Sequence, residues 1–211
     1  MNNNALTFFE KMAHADKLDP SSVKMAKNSD FTEMDTAFIR KYTDNRSTVL
    51  DLGSGTGLIV NKLYPYVKKI IAVEPFCQFT QYITQNDNIQ IINCDTAQFS
   101  SNDKFDAILL FGVMQYMDEK EATSIYDKYI KYLSKNGKMI IKNQFGVHED
   151  VIVEGFSEEL QDNYFSHYRH LKKEIELLQS VGFNKIEVVD IYPSKCNRWE
   201  NTHFYALVAA K

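Results

Sequence analysis

Cysteine is scarce in this chain: Cys77, Cys94 and Cys196 are three among 211 residues, widely spaced, with no Cys-x-x-Cys and no histidine at ligand spacing beside them. That excludes a disulfide framework and the spaced ligand pairs of a zinc module, and describes free thiols of a reducing compartment. Long hydrophobic runs are missing too, so no stretch is apolar for long enough to span a bilayer. The opening Met1-Asn2-Asn3-Asn4 lacks the basic and apolar regions of a secretory leader, and a cytoplasmic location is expected. Positive charge is in deficit: 24 Lys and Arg stand against 28 Asp and Glu, for a net charge of −4. No global positive field exists to draw in nucleic acid.

What is present is the composition of a globular domain, 44% hydrophobic and 25% charged, with 13% aromatic residues. The length fits one domain whose core needs neither disulfide nor metal. From about residue 47, short Val- and Ile-rich runs alternate with amphipathic stretches, the pattern of a parallel sheet covered by helices. Strands are expected over 47–52, 69–73, 89–94, 105–111, 138–143, 185–191 and 203–209. Helical periodicity occupies 58–64, 76–85, 119–133 and 171–181, and Ser134-Lys135-Asn136-Gly137 reads as a helix stop. Right-handed crossovers can join the first five strands. Residues 192–202 hold turn-like and polar residues without a helical pattern, so the last two strands are expected to pair antiparallel. The expectation is a single α/β domain over 1–211, with a helical cap over 1–46 and an irregular insertion over 146–170. Asp30 and Thr32 are candidate helix caps in the first of these segments.

The strand ending at Asp51 runs straight into Gly53-Ser54-Gly55-Thr56-Gly57 and then into a helical pattern near Leu58. Such a loop lets backbone approach a ligand because no Cβ intervenes. Alone, it is shared by nicotinamide binders, flavin binders and plain tight turns. Neighbouring strand tips narrow the choice. Ala72-Val73-Glu74-Pro75-Phe76 sets a carboxylate at the second tip, placed to accept from both hydroxyls of a ribose. Asn93-Cys94-Asp95-Thr96-Ala97-Gln98-Phe99 sets a second carboxylate and a ring at the third, suited to an adenine amino group and an adenine face. Asp95 is also readable as a turn cap, and Phe76 and Phe99 as core rings. At the fourth tip the apolar run from Phe105 to Phe111 opens into Gly112-Val113-Met114-Gln115, and Asp106 near its start reads as structural. Leu58 stands where a nicotinamide fingerprint wants a small residue, which disfavours a dehydrogenase.

The order VLDLGSGTG, AVEPF, INCDTAQF, FDAILLFGVMQYM and LSKNGKMII resembles the class I S-adenosylmethionine (SAM)-dependent methyltransferases, over about residues 47–145 and on through the terminal hairpin. The resemblance implies a Rossmann-like seven-stranded sheet in the order 3-2-1-4-5-7-6, strand 7 antiparallel, with helices on both faces. It implies SAM as cofactor and S-adenosylhomocysteine (SAH) as product. Asp51, Gly53, Gly55 and Gly57 then surround the methionine moiety, and Glu74, with Pro75 beside it, meets the ribose. Phe76 lies against adenine, Asp95 meets its amino group, and Thr96 and Ala97 contribute backbone. Phe111 and Gln115 line the floor near the sulfonium.

Methyl transfer is an in-line displacement at carbon, so it needs positioning and no metal. An amine acceptor must be deprotonated, and a hydroxyl acceptor benefits from a general base. None of the five histidines lies between residues 47 and 117. His14, His148, His167, His170 and His203 fall in segments that flank the acceptor side in this fold, which nominates His167, Tyr168 and His14 as catalytic. Tyr164-Phe165-Ser166-His167-Tyr168-Arg169-His170 is the densest aromatic and cationic cluster. Arg169 with His170 suits an anion, and Tyr164 suits an aromatic wall for an ammonium; the same stretch also reads as an amphipathic helix start. Asn143 at the fifth tip, and Arg198 and His203 around the lone Trp199, complete the acceptor candidates. A small chain without a target-recognition domain resembles members that methylate metabolites such as amino sugars, phosphoethanolamine-like amines or hydroxy acids. Gly112-Val113-Met114-Gln115 in place of an Asn/Asp-Pro-Pro-Tyr tip disfavours DNA amino-methylation. A binding module without catalysis and a protein methyltransferase stay open as other readings.

Overall fold

The computed structural model describes residues 3–23, 31–157, 162–197 and 199–211. In chain order its elements are α1 (Asn3–Ala13), α2 (Thr32–Ile39), β1 (Thr48–Leu52), α3 (Val60–Leu63), β2 (Lys69–Val73), α4 (Cys77–Thr80), β3 (Ile89–Ile92), β4 (Phe105–Phe111), α5 (Glu119–Ile130), β5 (Leu133–Gly146), β6 (Val151–Ser157), β7 (Asp162–Tyr168), α6 (Leu171–Ser180), β8 (Lys185–Asp190) and β9 (Thr202–Ala210). Seven strands form one sheet in the order β3-β2-β1-β4-β5-β9-β8, and β6 pairs with β7 apart from it. β1 runs parallel to β2 and β4, whereas β9 is antiparallel to both β5 and β8. With the β6–β7 hairpin set aside, this is the expected Rossmann-like order. No described helix is long and apolar enough to cross a membrane.

Several expected elements are shortened for local reasons. The helix anticipated over 58–64 is a single turn, α3, followed by a 3-10 turn at Tyr64–Tyr66. Pro65 has no N–H to donate and crowds the residue before it, so the α-helix cannot continue. The helix anticipated over 76–85 stops at Thr80 because the Asn61 side chain donates to the Tyr82 carbonyl (2.9 Å) and accepts from the Thr84 N–H (2.7 Å). α5 starts on a capping box that the sequence displays: Asp118 accepts from the Glu121 N–H and Glu121 reaches back to the Asp118 N–H. Thr32 opens α2, whose N-cap residue is Phe31, and Asp30 lies outside the described residues.

Two expectations are corrected. Ser134 to Gly137 do not stop a helix; they lie inside β5. A Cβ on Gly137 would stand 2.5 Å from the Phe105 carbonyl oxygen, so the glycine serves the close approach of backbone at the start of β4. The stretch 164–168 is not a helix start but strand β7, paired with β6 from Tyr168 opposite Val151 to Asp162 opposite Ser157. Burial alternates along it with period two, Ser166 and Tyr168 being buried and Phe165 and His167 half-buried, and its aromatic residues suit a strand.

The chain packs as two compact units of separated segments. The first comprises Glu10–Leu109 and Tyr132–Lys138, and its fully buried core includes Val49, Leu50, Ile70, Phe79, Phe105 and Ile108. Asp106 proves structural there, accepting from the Thr48 N–H and the Ser134 hydroxyl at 2.9 Å each. The second comprises Met1–Phe9, Leu110–Lys131 and Met139–Lys211, with a core that includes Tyr126, Tyr129, Ile141, Phe145, Leu178 and Leu207.

Candidate functional site

In the first unit, the chain leaves β1 through Gly53, Gly55 and Gly57, all at positive φ (72°, 53° and 77°). The Gly53 and Ser54 N–H groups both donate to the Val73 carbonyl, at 2.8 and 3.1 Å, which pins the loop to the tip of β2. A Cβ on Gly57 would stand 2.5 Å from Ile83 Cγ1. Gly57→Ala is therefore expected to cost about 2–3 kcal/mol, the sum of left-handed strain and a forced shift of Ile83. A urea midpoint unchanged from the parent protein would refute that. The segment before α2 lies against the same loop: the Thr56 hydroxyl donates to the Pro20 carbonyl (2.6 Å), and Val23 comes within 3.3 Å of where a Gly55 Cβ would be.

Glu74 follows β2, buried and held by backbone on both oxygens. Oε2 accepts from the Gly55 N–H (3.0 Å) and Oε1 from the Phe76 N–H (3.2 Å). One carboxylate thus links the glycine loop to the second strand tip. Asp51 lies buried at 3% exposure, and burial, with the Glu74 charge second, pushes it up to about 7. Burial also pushes Glu74 up to about 7, against the Phe76 and Gly55 hydrogen bonds, and the Asp95 charge adds to the rise. Three carboxylates share this region, and no basic group is among the influences on the two buried ones.

Asp95 caps its own turn, accepting from the Ala97 N–H through Oδ1 at 2.6 Å, with Thr96 buried behind it and Ala97 exposed. Phe76 is half-buried, edge-on to Phe79 at 5.7 Å, and Pro75 is half-buried beside it. Phe99 is core, 2% exposed and edge-on to Tyr132. His14 also belongs to this unit. It is exposed, and both ring nitrogens are engaged, Nδ1 with the Glu10 carbonyl (2.9 Å) and Nε2 with the Gln78 amide (3.0 Å).

In the second unit, Phe111 is half-buried at the end of β4 with Lys142 Nζ 5.2 Å from its ring centre. Gln115 is 8% exposed within the 3-10 turn Met114–Tyr116. Asn143 is 4% exposed on β5, and its Oδ1 has no hydrogen-bond partner among the described residues. His167 Nε2 lies 3.2 Å from Asp150 Oδ2, and Tyr168 is buried with its hydroxyl accepting from Trp199 Nε1 at 3.2 Å. His170 Nε2 meets the Val147 carbonyl at 3.1 Å. His203 has both ring nitrogens engaged, with Asp190 (2.7 Å) and Asn197 (2.9 Å). Tyr164 lies in β7, and Arg198 falls outside the described residues.

Arg169 departs most from expectation. Its fork does not face outward to a free anion; it is 2% exposed and bonded to Glu174 at 2.6 Å and to the Met117 and Met114 carbonyls at 2.6 and 3.1 Å. The Glu174 charge and hydrogen bond, outweighing burial, hold the guanidinium above its ordinary range. Sequence reasoning passed over Glu174 and Asp150. A signal existed for the first, a carboxylate on the apolar stripe of α6 with Leu178. Asp150 had none, because it acts through groups 17 to 23 residues away: burial raises it, but hydrogen bonds from Lys173, the His170 N–H and His167 prevail and hold it at about 2.

The chain matches the model of a methyltransferase domain over residues 27–188. Nodulation protein S of Sinorhizobium fredii (strain NBRC 101917 / NGR234) is 25% identical over 100 residues, 44% of this chain. The match spans about half, 46%, of that relative's length. Among solved structures, the N-methyltransferase NodS of Bradyrhizobium japonicum WM9 with bound SAH aligns with a TM-score of 0.68 at 15% identity, covering 98% of each chain. The 1,6-didemethyltoxoflavin-N1-methyltransferase of Burkholderia thailandensis aligns with a TM-score of 0.72 at 14% identity, covering 96% of this chain and 85% of that one. The chain belongs to the class I SAM-dependent methyltransferases. Its cofactor is SAM, and the first unit suits it: glycines without Cβ at the loop, and buried carboxylates that a cationic ligand would relieve.

Proposed function

We propose that this enzyme methylates a nitrogen or oxygen of a small polar metabolite, with His167 as the general base. The observation that carries the reading is the Asp150–His167 pair at 3.2 Å. Asp150, held at about 2, is ionised at neutral pH and accepts the Nε2 proton, which leaves the lone pair of His167 on Nδ1. A carboxylate-oriented neutral imidazole is the arrangement a general base needs. The acceptor's lone pair forms the new bond to the methyl carbon while the carbon–sulfur bond breaks. Its electron pair stays on sulfur to give neutral SAH, and the acceptor's proton passes to His167. In this reading Glu74 holds the ribose, Asp51 and the glycine loop hold the methionine part, Phe76, Asp95, Thr96 and Ala97 hold adenine, and Phe111 and Gln115 lie near the sulfonium. The fold is shared with solved N-methyltransferases, one of them bound to the small molecule 1,6-didemethyltoxoflavin, which supports a metabolite, and an amine in particular, as acceptor.

The test is transfer of labelled methyl from SAM to pooled polar amines and hydroxylated metabolites. Label is expected in the small-molecule fraction, and His167→Ala is expected to lower kcat by about 100-fold with SAH affinity unchanged. Asp150→Asn is expected to lower kcat as well, because the imidazole loses the carboxylate that accepts from its Nε2. Label appearing only in protein, or full activity in His167→Ala, would overturn the reading.

A further inference from the structure

We propose that Arg169 is a positioning residue for methyl transfer, clamping the backbone that carries Gln115 at the tip of β4. The inference rests on the reading of Gln115 as part of the floor beneath the methyl donor. The two carbonyls bonded by Arg169, those of Met114 and Met117, bracket Gln115 and Tyr116. The Met117 carbonyl follows the 3-10 turn and gains no partner from it, so in a buried setting it needs one from elsewhere, whereas the Met114 carbonyl already accepts from the Met117 N–H (3.2 Å) and takes the Arg169 bond in addition. A guanidinium alone among side chains presents enough fixed donors to serve both carbonyls and a carboxylate together.

The far side of the clamp is equally anchored. Glu174 is 1% exposed on α6, and its Oε1 accepts from the fully buried Tyr126 hydroxyl of α5. The turn is therefore tied to α5 and α6 through one cation. On another side, Phe9 packs edge-on against Tyr116 with ring centres 5.2 Å apart. An arginine that merely joined α6 to α5 would have no use for two bonds to the β4 tip. Holding that tip gives both bonds a role: they set the backbone on either side of Gln115.

The experiment is a double-variant cycle on SAH affinity by titration calorimetry, with melting temperatures measured alongside. Lysine in Arg169→Lys keeps the charge opposite Glu174 but has one nitrogen in place of three, so a carbonyl is released. Gln115→Ala and Arg169→Lys are each expected to weaken SAH about tenfold, and the double variant scarcely more than either. Fully multiplicative losses, or an Arg169→Lys protein that melts lower with unchanged affinity, would overturn the clamp. Unchanged affinity in Gln115→Ala overturns the floor reading, and the clamp falls with it, whereas wild-type binding of SAH tests the cofactor site independently. Should Arg169→Lys not fold, Arg169→Met with Glu174→Met replaces the ion pair by apolar side chains and supplies the second background for the same cycle.

Discussion

Glu74→Gln is expected to weaken SAH binding about 100-fold, equivalent to losing two charge-assisted hydrogen bonds to ribose hydroxyls. The change keeps shape and removes charge, so it isolates the carboxylate. It also costs some stability, because an amide has one acceptor oxygen where Glu74 uses two, for the Gly55 and Phe76 N–H groups. One of those N–H groups will then face an NH2, at a cost of about 1–3 kcal/mol. The measurement is calorimetric titration with SAH beside a urea melt. A dissociation constant within threefold of the parent value would remove Glu74 from the cofactor site, whatever the melt shows.

The ligand-free protein is expected to lose stability as pH rises from about 4 to about 7 and to regain it on adding SAM. Asp51 and Glu74 each titrate near 7 in the folded chain, against ordinary values of 3.8 and 4.5. Between those limits the unfolded chain has released protons that the folded chain retains. The unfolded state therefore binds fewer protons, and stability falls with pH until both forms are ionised. For the coupled pair the total is of the order of several kcal/mol. Asp51→Asn should flatten much of the slope and raise the melting temperature at pH 8, since one of the two uncompensated buried charges is then gone and Glu74 no longer faces it. SAM brings a sulfonium and an ammonium to the ionised carboxylates, so it should raise the melting temperature more at pH 8 than at pH 6. SAH, which lacks the sulfonium charge, should show less of that difference. A flat melting profile from pH 5 to 7.5 in the ligand-free protein would contradict the burial argument.

The parts of the donor site that were legible share one property: each is encoded within a few residues of a strand tip. Gly53, Gly55 and Gly57 announce left-handed backbone, and all three adopt it. Glu74 announces a carboxylate after a β-branched run, and β2 ends one residue before it. The acceptor side did not yield in the same way. His167 and Arg169 are two residues apart, yet one is turned toward Asp150 and the other buried against Glu174. Nothing local separates those fates, because the partners lie on other elements. The same holds for Gly137, which looked like a helix stop and proved to be a place where two backbones meet.

By itself, the sequence determined the run of strands, the glycine loop, the strand-tip carboxylates and, through the resemblance they carry, the sheet order and the methyl donor. Those follow from hydrophobic period, turn chemistry and residue type, which act over a few residues along the chain. Only the tertiary structure decided that 151–157 and 162–168 are paired strands rather than a loop and a helix start, that Asp150 meets His167, and that Arg169 is spent on the β4 tip. The reason is physical. A charged side chain's role is set by what neutralises or desolvates it, and here those partners stand 5 to 55 residues away in sequence, brought close by packing alone.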